Sequence, residues 1–366
     1  MLNSFLKLLR GEPAERVVWT ADLNYWLFAR QQQSRGDPAW DTEEGYLQFH
    51  RSLGVMPYYY YGRFWLGEPR YSSRVHLSSE TDGPRTIARI ETPVGTLTQV
   101  LQYLPTSYST GAVKHYVANE DDLDVLLYVL EQRTLVPACL DDYPERMHLW
   151  ESYGGLPSIA LPRAPLAALA YEWAGVEHMV YLLMDCPDKV QAALRLMAEQ
   201  EQPIVEAVCR AAPPLVHFAD NLSSANLGGL YGRYMADHHR WRIGRLHAAG
   251  VRCVVHLDGT VKGLLAQLVQ VGFDGIEALT PKPVGDLDAA EMSRLAGQRV
   301  ILWGGVPGAM FAPPYTWPDM EAHVRAVLAA WRGRPFVLGV ADQVPPDGDI
   351  TFCSRIAELV AGCGGP

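Results

Sequence analysis

The chain has 366 residues, 48% hydrophobic and 20% charged, enough to bury a large globular core. Lys and Arg number 31 against 41 Asp and Glu, a net charge of −10, which excludes nonspecific nucleic-acid binding and docking on an anionic membrane surface. Six scattered cysteines include no C-x-x-C pair, which argues against a thiolate zinc knuckle and against a disulfide framework.

The opening MLNSFLKLLR predicts a short amphipathic helix stopped at Gly11 and Pro13. Lys7 and Arg10 interrupt its apolar stretch and no small-residue cleavage site follows, so it does not read as a signal peptide. No window reaches the roughly eighteen apolar residues a membrane span needs, and a cytoplasmic protein is expected. Strands are predicted at Arg16–Thr20 and Val55–Tyr59. The runs Arg74–Leu77, Thr86–Glu91 and Leu97–Leu101 are separated by the turn signals Asp82-Gly83-Pro84 and Pro93-Val94-Gly95. They predict a β-hairpin or meander inserted after the second strand, followed by a helix capped at Asn119.

From there short apolar runs alternate with helical patterns, the rhythm of a parallel sheet wrapped by helices. Strands are predicted at Ile159–Leu161, Leu215–Ala219, Arg252–His256, Gly275–Leu279, Val300–Trp303 and Phe336–Val340. Helices are predicted over Pro187–Arg210, Tyr231–Ala249, Val261–Val271, Leu287–Ala296, Pro318–Trp331 and Asp349–Ala361. With the two earlier runs the strands number eight. That count gives an α/β fold, a (β/α)8 TIM barrel with an inserted hairpin, as a single domain over residues 1–366.

In such a barrel the reactive groups sit just past the strand ends. Those positions hold Asp22 and Asn24, the run Tyr58–Tyr61, Asp220 and Asn221, His256 and Asp258, Glu277, Trp303, and Asp342 with Gln343. His256 and Asp258, two apart, share a face if the strand continues. An imidazole among these carboxylates suits either a divalent metal, held by Asp220, His256, Glu277 and Asp342, or acid/base work by His256, Asp258 and Asp22. The alternative is a histidine that only orients Asp258. Tyr58 and Tyr60, with Asn24, Asn221, Trp303 and Gln343, are candidate substrate contacts. The tyrosine run either stacks on a flat apolar substrate or divides between core and solvent. His238 and His239 read as a solvated helix face beside Arg240 and Arg242. Gly304-Gly305 reads as a tight turn after its strand, and Cys253 as a packed core thiol.

Several stretches resemble one family. LLRGEPAERVVW resembles the opening of uroporphyrinogen decarboxylase-like proteins, where a helix, a Gly and an Arg lead into the first strand. HLDGTVKGLLAQLVQVGFDGIEALTPKPVGDL is similar to their central region, ILWGGVP and FVLGVADQVPPDGDI to their last two strands, and TPVGT at 92–96 to their inserted hairpin. The resemblance spans nearly the whole chain and implies the barrel fold.

It also implies two activities. True uroporphyrinogen decarboxylases hold an octa-carboxylate with arginines in an R-Q-A-G-R-like turn after the first strand. Here that turn reads TADLNYWLFAR, with Asp22 where cations are needed and Arg30 about two helical turns on. The other branch comprises corrinoid-linked methyltransferases, whose thiol-methylating members bind zinc through H-x-C and a second Cys. This chain has His256-Leu257-Asp258, and Ala341 or Asp342 at the last position. Members that demethylate aryl ethers use acidic residues with a His. Asp220 and His256 are compatible with that spacing, although the intervening acidic position is Met235. The resemblance thus implies methyl transfer from a methylated or methoxylated small molecule, assisted by a metal, zinc first. The D-x-H-x-x-G corrinoid-binding pattern is missing, so the corrinoid would ride on a separate protein. A homodimer is a further expectation. The alternatives are a cofactor-free carboxy-lyase, with Asp22 or His256 handling the proton, and a non-catalytic small-molecule-binding barrel.

Overall fold

Seven of the eight expected barrel runs form strands in the structure, a computed structural model that describes residues 1–362. They make one all-parallel sheet in the spatial order Val18–Thr20, Phe336–Ala341, Ile301–Pro307, Gly275–Leu279, Arg252–Leu257, Leu215–Leu222, Ala160–Leu161. Nearly every residue in these strands is buried, as expected when helices cover a parallel sheet. The eighth run, 55–59, forms no regular strand, because Pro57 has no N–H to give to a ladder. It closes the ring all the same. Met56 N donates to Trp19 O at 2.9 Å on one side, and on the other Leu156 N donates to Pro57 O at 3.2 Å and Ser158 N to Tyr58 O at 2.9 Å. The fold is a (β/α)8 barrel.

This barrel belongs to a compact unit built from Met1–Trp65, Cys139–Leu161 and the chain from Val208 onward. Its core includes Val18, Tyr58, Val254, Ile301, Trp303 and Val337, joined by Phe5, Leu8 and Leu9 of the N-terminal helix Leu2–Leu9. Gly304 and Gly305 do not form the expected turn. They lie inside the strand Ile301–Pro307, where Gly304 takes φ +137° and any Cβ would lie 2.6 Å from Leu279 backbone atoms. Only glycine lets the two strands approach this closely. The predicted helix Tyr231–Ala249 divides into Gly228–Tyr234 and Ala236–Ala248, with Met235 leaving helical geometry at φ −124°.

The second unit comprises Leu66–Ala138 and Pro162–Ala207. The inserted hairpin is larger than expected, a four-stranded antiparallel meander of His76–Asp82, Arg85–Thr92, Gly95–Leu104 and Ser109–Lys114. Its first two turns are the two-residue connections signalled at Gly83-Pro84 and Pro93-Val94. A separate ribbon pairs Gly67–Tyr71 with Arg133–Pro137. The helix Glu120–Glu131 is capped as predicted, Asn119 accepting from Asp122 N at 3.0 Å. The stretch Pro187–Arg210 is not one helix: it breaks after Gln200 and restarts at Gln202, where Pro203 fits the first turn of the new helix but not the interior of the old one. Among the described residues no helix is long and apolar enough to cross a membrane.

Candidate active site

The site is set by strand register. His256 and Glu277 are direct partners across adjacent parallel strands, so their side chains leave the sheet side by side at its C-terminal edge. His256 Nδ1 lies 2.5 Å from Glu277 Oε2. The remaining ring nitrogen, Nε2, faces Asp342 Oδ1 at 3.7 Å. Both members of the pair are buried.

Glu277 is the hub. Tyr58 donates to its Oε1 at 3.0 Å and Tyr59 to its Oε2 at 3.2 Å. The Tyr59 hydroxyl also lies 3.1 Å from His217 Nδ1, and His217 Nε2 lies 3.0 Å from Ser158 Oγ. Because Tyr59 donates to the carboxylate, it accepts from His217, which fixes a neutral Nδ1–H imidazole whose Nε2 accepts from Ser158. A carboxylate taken out of water is thus met by three donors.

The second acid is Asp22. It accepts from Asn24 N at 2.9 Å, Asn24 Nδ2 at 2.7 Å and Tyr61 hydroxyl at 2.9 Å. Gln343 Nε2 donates to that hydroxyl at 2.8 Å, and Asn24 Nδ2 also reaches Tyr46 hydroxyl at 3.1 Å. These residues lead into an open cleft of about 410 Å³ walled by Tyr25, Phe28, Trp40, Tyr60 and Tyr61. Among the described residues no Lys or Arg contributes to its lining.

The electrostatics follow from burial and charge. Burial works against the His256 imidazolium, but the charge and hydrogen bond of Glu277, with Asp342 and Asp258 behind them, overcome it and hold the pKa at about 9. Burial pushes Glu277 up, and the imidazolium more than reverses this, leaving it below the usual carboxylate range. Burial pushes Asp342 up to about 7, against the pull of His256 and with the help of the Asp22 and Glu277 charges. Burial likewise raises Asp22, against its three donors. His217, equally buried, falls to about 4.

The remaining expected residues fall elsewhere. Asp220 is fully buried and pairs with His239 Nε2 at 2.9 Å, whose Nδ1 meets Tyr231 hydroxyl at 3.0 Å. His239 is therefore not a solvated surface residue. Asp258 lies beyond the strand end and is exposed, so it does not share the buried face of His256. Trp303 is not a substrate contact: its ring packs 4.8 Å from Tyr58 and 5.1 Å from Phe5 inside the barrel, and its Nε1 donates to Thr20 Oγ1 at 2.9 Å. Tyr58 is buried too and orients Glu277. Asn221 takes φ +50° at its strand end. Tyr60 and Gln343 do line the cleft. Sequence reasoning passed over Tyr46 and His217, although a histidine inside the apolar run LVHFAD was a signal.

Zinc does not fit the four-residue set. Asp220 is committed to His239, both Glu277 oxygens are taken, and of His256 only Nε2 is open, so Nε2 and Asp342 remain where a zinc site uses three protein ligands or more. Among the described residues, the His/Cys/Asp/Glu ligand atoms that gather within 4.8 Å are those of His247, Cys253 and Asp274, at the strand starts.

The imidazole–carboxylate pair lies at the C-terminal strand ends, where the active sites of (β/α)8-barrel enzymes sit. The model of the uroporphyrinogen decarboxylase (URO-D) family matches residues 120–362, and the chain belongs to that family. A uroporphyrinogen decarboxylase of Salinispora tropica is 28% identical over 215 residues, which cover 57% of this chain. The match spans about half of that protein, 55%. Two solved structures share the fold over nearly the whole chain. A methyltransferase from Methanosarcina mazei has a TM-score of 0.62 at 14% identity, covering 98% of both chains. A B12-independent methionine synthase from Shewanella sp. W3-18-1 has a TM-score of 0.53 at 12% identity, covering 95% of this chain and 98% of its own.

Proposed function

We propose that this protein is a methyltransferase that removes a methyl group from a methylated or methoxylated small molecule and passes it to a corrinoid carried on a separate protein. The observation that carries the reading is His256, locked through Nδ1 on Glu277 with Nε2 facing Asp342, whose chain neighbour Gln343 lines an aromatic cleft with no lysine or arginine among its described lining residues. Flat substrates stack on such walls. With a pKa of about 9, His256 is an imidazolium at neutral pH and matches a phenol-type leaving group in acidity. The acceptor's electron pair forms the new bond to the methyl carbon. The carbon–oxygen pair leaves on oxygen, where the Nε2 proton of His256 neutralises it. Glu277 keeps the ring aligned, and Asp342 stands beside Nε2 to receive the next proton.

The experiment is methyl transfer from methoxylated aromatics to reduced corrinoid, free or protein-bound, under anaerobic conditions. Methylated corrinoid should form, and His256→Ala should slow it by about 10²-fold or more. Full activity in His256→Ala excludes the proton role, and no transfer with any donor removes the reading.

Decarboxylation is the second reading, favoured by the name of the Salinispora relative. Among the described residues the cleft lining holds no arginine or lysine and one acid, Asp41. The carboxylates of a polyanionic porphyrinogen would find no charge-assisted partner there.

A further inference from the structure

A second cavity, of about 460 Å³, opens at the other end of the strands, where the barrel begins. The segment Leu8–Ala14 forms one wall, and Arg252, Asp274, Gln298, Arg299, Ile301 and residues 333–335 supply the rest. Four of its lining side chains are guanidiniums, Arg10, Arg252, Arg299 and Arg334. In a chain of net charge −10 this is a local inversion of sign.

Two of the four are compensated. Arg10 Nε lies 2.8 Å from Glu12, and Arg252 lies 3.1 Å from Asp274. Arg334 donates to Gly297 O at 2.7 Å, which satisfies one donor and leaves the charge. Among the described residues no carboxylate pairs with Arg299 or Arg334. The cavity therefore carries two unneutralised guanidiniums above an apolar floor that includes Leu8, Leu9 and Ile301.

A metal ion is the wrong guest, although His247, Cys253 and Asp274 lie close together here. Asp274 Oδ2 already accepts from His247 Nε2 at 2.7 Å and from Cys253 N at 2.8 Å, and its Oδ1 holds Arg252. A dication would displace these bonds and sit beside a guanidinium.

We propose that this cavity binds an organic polyanion of nucleotide size, with an apolar body on the leucine floor and a polyphosphate group on Arg299 and Arg334. Guanidinium forks match phosphate oxygens in pairs, which a lysine cannot do. The volume lies in the range of small-molecule sites. Such a ligand bridges the N-terminal segment and the strand starts, so it stabilises the fold wherever it binds the native state alone. The site is independent of the methyl-transfer reading, because no residue of the cleft takes part.

The test is calorimetric and thermal-shift titration of the full chain with ATP, inorganic pyrophosphate and adenosine, without magnesium. ATP should bind and raise Tm, pyrophosphate should bind about tenfold or more weakly, and adenosine should not bind measurably. Arg299→Gln and Arg334→Gln should each weaken ATP by about tenfold, some 1.4 kcal/mol. Arg299 is exposed, so Arg299→Gln keeps the fold and tests the site even if Arg334→Gln disturbs the Gly297 contact. No ATP binding, or binding unchanged in Arg299→Gln, overturns the proposal. Pyrophosphate as tight as ATP overturns the apolar half.

Discussion

Replacing Glu277 by Gln tests whether the carboxylate charge, rather than the hydrogen bond alone, sets the state of His256. Gln is nearly isosteric, and its Oε1 still accepts from His256 Nδ1, so packing and geometry change little. What disappears is the charge that outweighs burial. His217 shows the outcome of burial without a carboxylate in contact, a pKa of about 4. His256 should therefore fall from about 9 to below its ordinary 6.5. The shift exceeds two units, and at 1.36 kcal/mol per unit it corresponds to ~3 kcal/mol of lost imidazolium stabilisation. Proton NMR titration of the His256 ring reads it directly. At pH 7 the ring should be mostly neutral, with methyl transfer down about 10²-fold and partly restored at lower pH. A His256 resonance still titrating near 9 in Glu277→Gln would refute the electrostatic argument.

The same coupling sets stability against pH. The folded pKa of His256, about 9, stands above its ordinary 6.5, so its contribution is full below 6.5 and is lost as pH rises through 9; Tm should fall across that window, and Glu277→Gln should flatten the fall. Asp342→Asn should remove the limb of the pH–rate profile near 7, and a limb that stays belongs to another group. Asp220→Ala leaves Nε2 of buried His239 without its carboxylate partner and should cost about 1–3 kcal/mol by chemical denaturation, with the rate per folded molecule kept; a lost rate at full stability would return Asp220 to the site. Uroporphyrinogen should give no detectable coproporphyrinogen, and turnover above about 1 per second would put decarboxylation first.

The barrel was legible because each strand is buried on both faces and reads as an apolar run. The strand-end rule then brought His256, Glu277, Asp22 and Asp342 onto one list. The sequence could not say which carboxylate meets which base. Asp220 sits on a strand whose pairing slips near its end and whose next residue, Asn221, has φ +50°. A change of one residue turns a side chain to the other face, and Asp220 turns to His239 instead of His256. His238-His239 departs from a solvated helix face for a related reason. Adjacent residues on a helix point about 100° apart, since a turn takes 3.6 residues, so a polar pair beside arginines still sends one member inward. His239 is that member, and Phe218 and Phe273 pack their ring edges around it.

From sequence the tyrosine run fits either a stacking surface or a division between core and solvent, and the structure divides it by position. Tyr58 and Tyr59 are buried and spend their hydroxyls on Glu277, while Tyr60 and Tyr61 line the cleft. The division follows from the cost of burying Glu277. A carboxylate at 1% exposure would stay protonated in an apolar barrel mouth unless donors and a cation surround it. Two phenols and one imidazole provide that, and the phenols reach it only from the segment that closes the barrel beside Ser158. Pro57, which spoils that segment as a strand, is followed at once by these tyrosines. The closing segment contributes little to the sheet ladder and much to the charge state of His256.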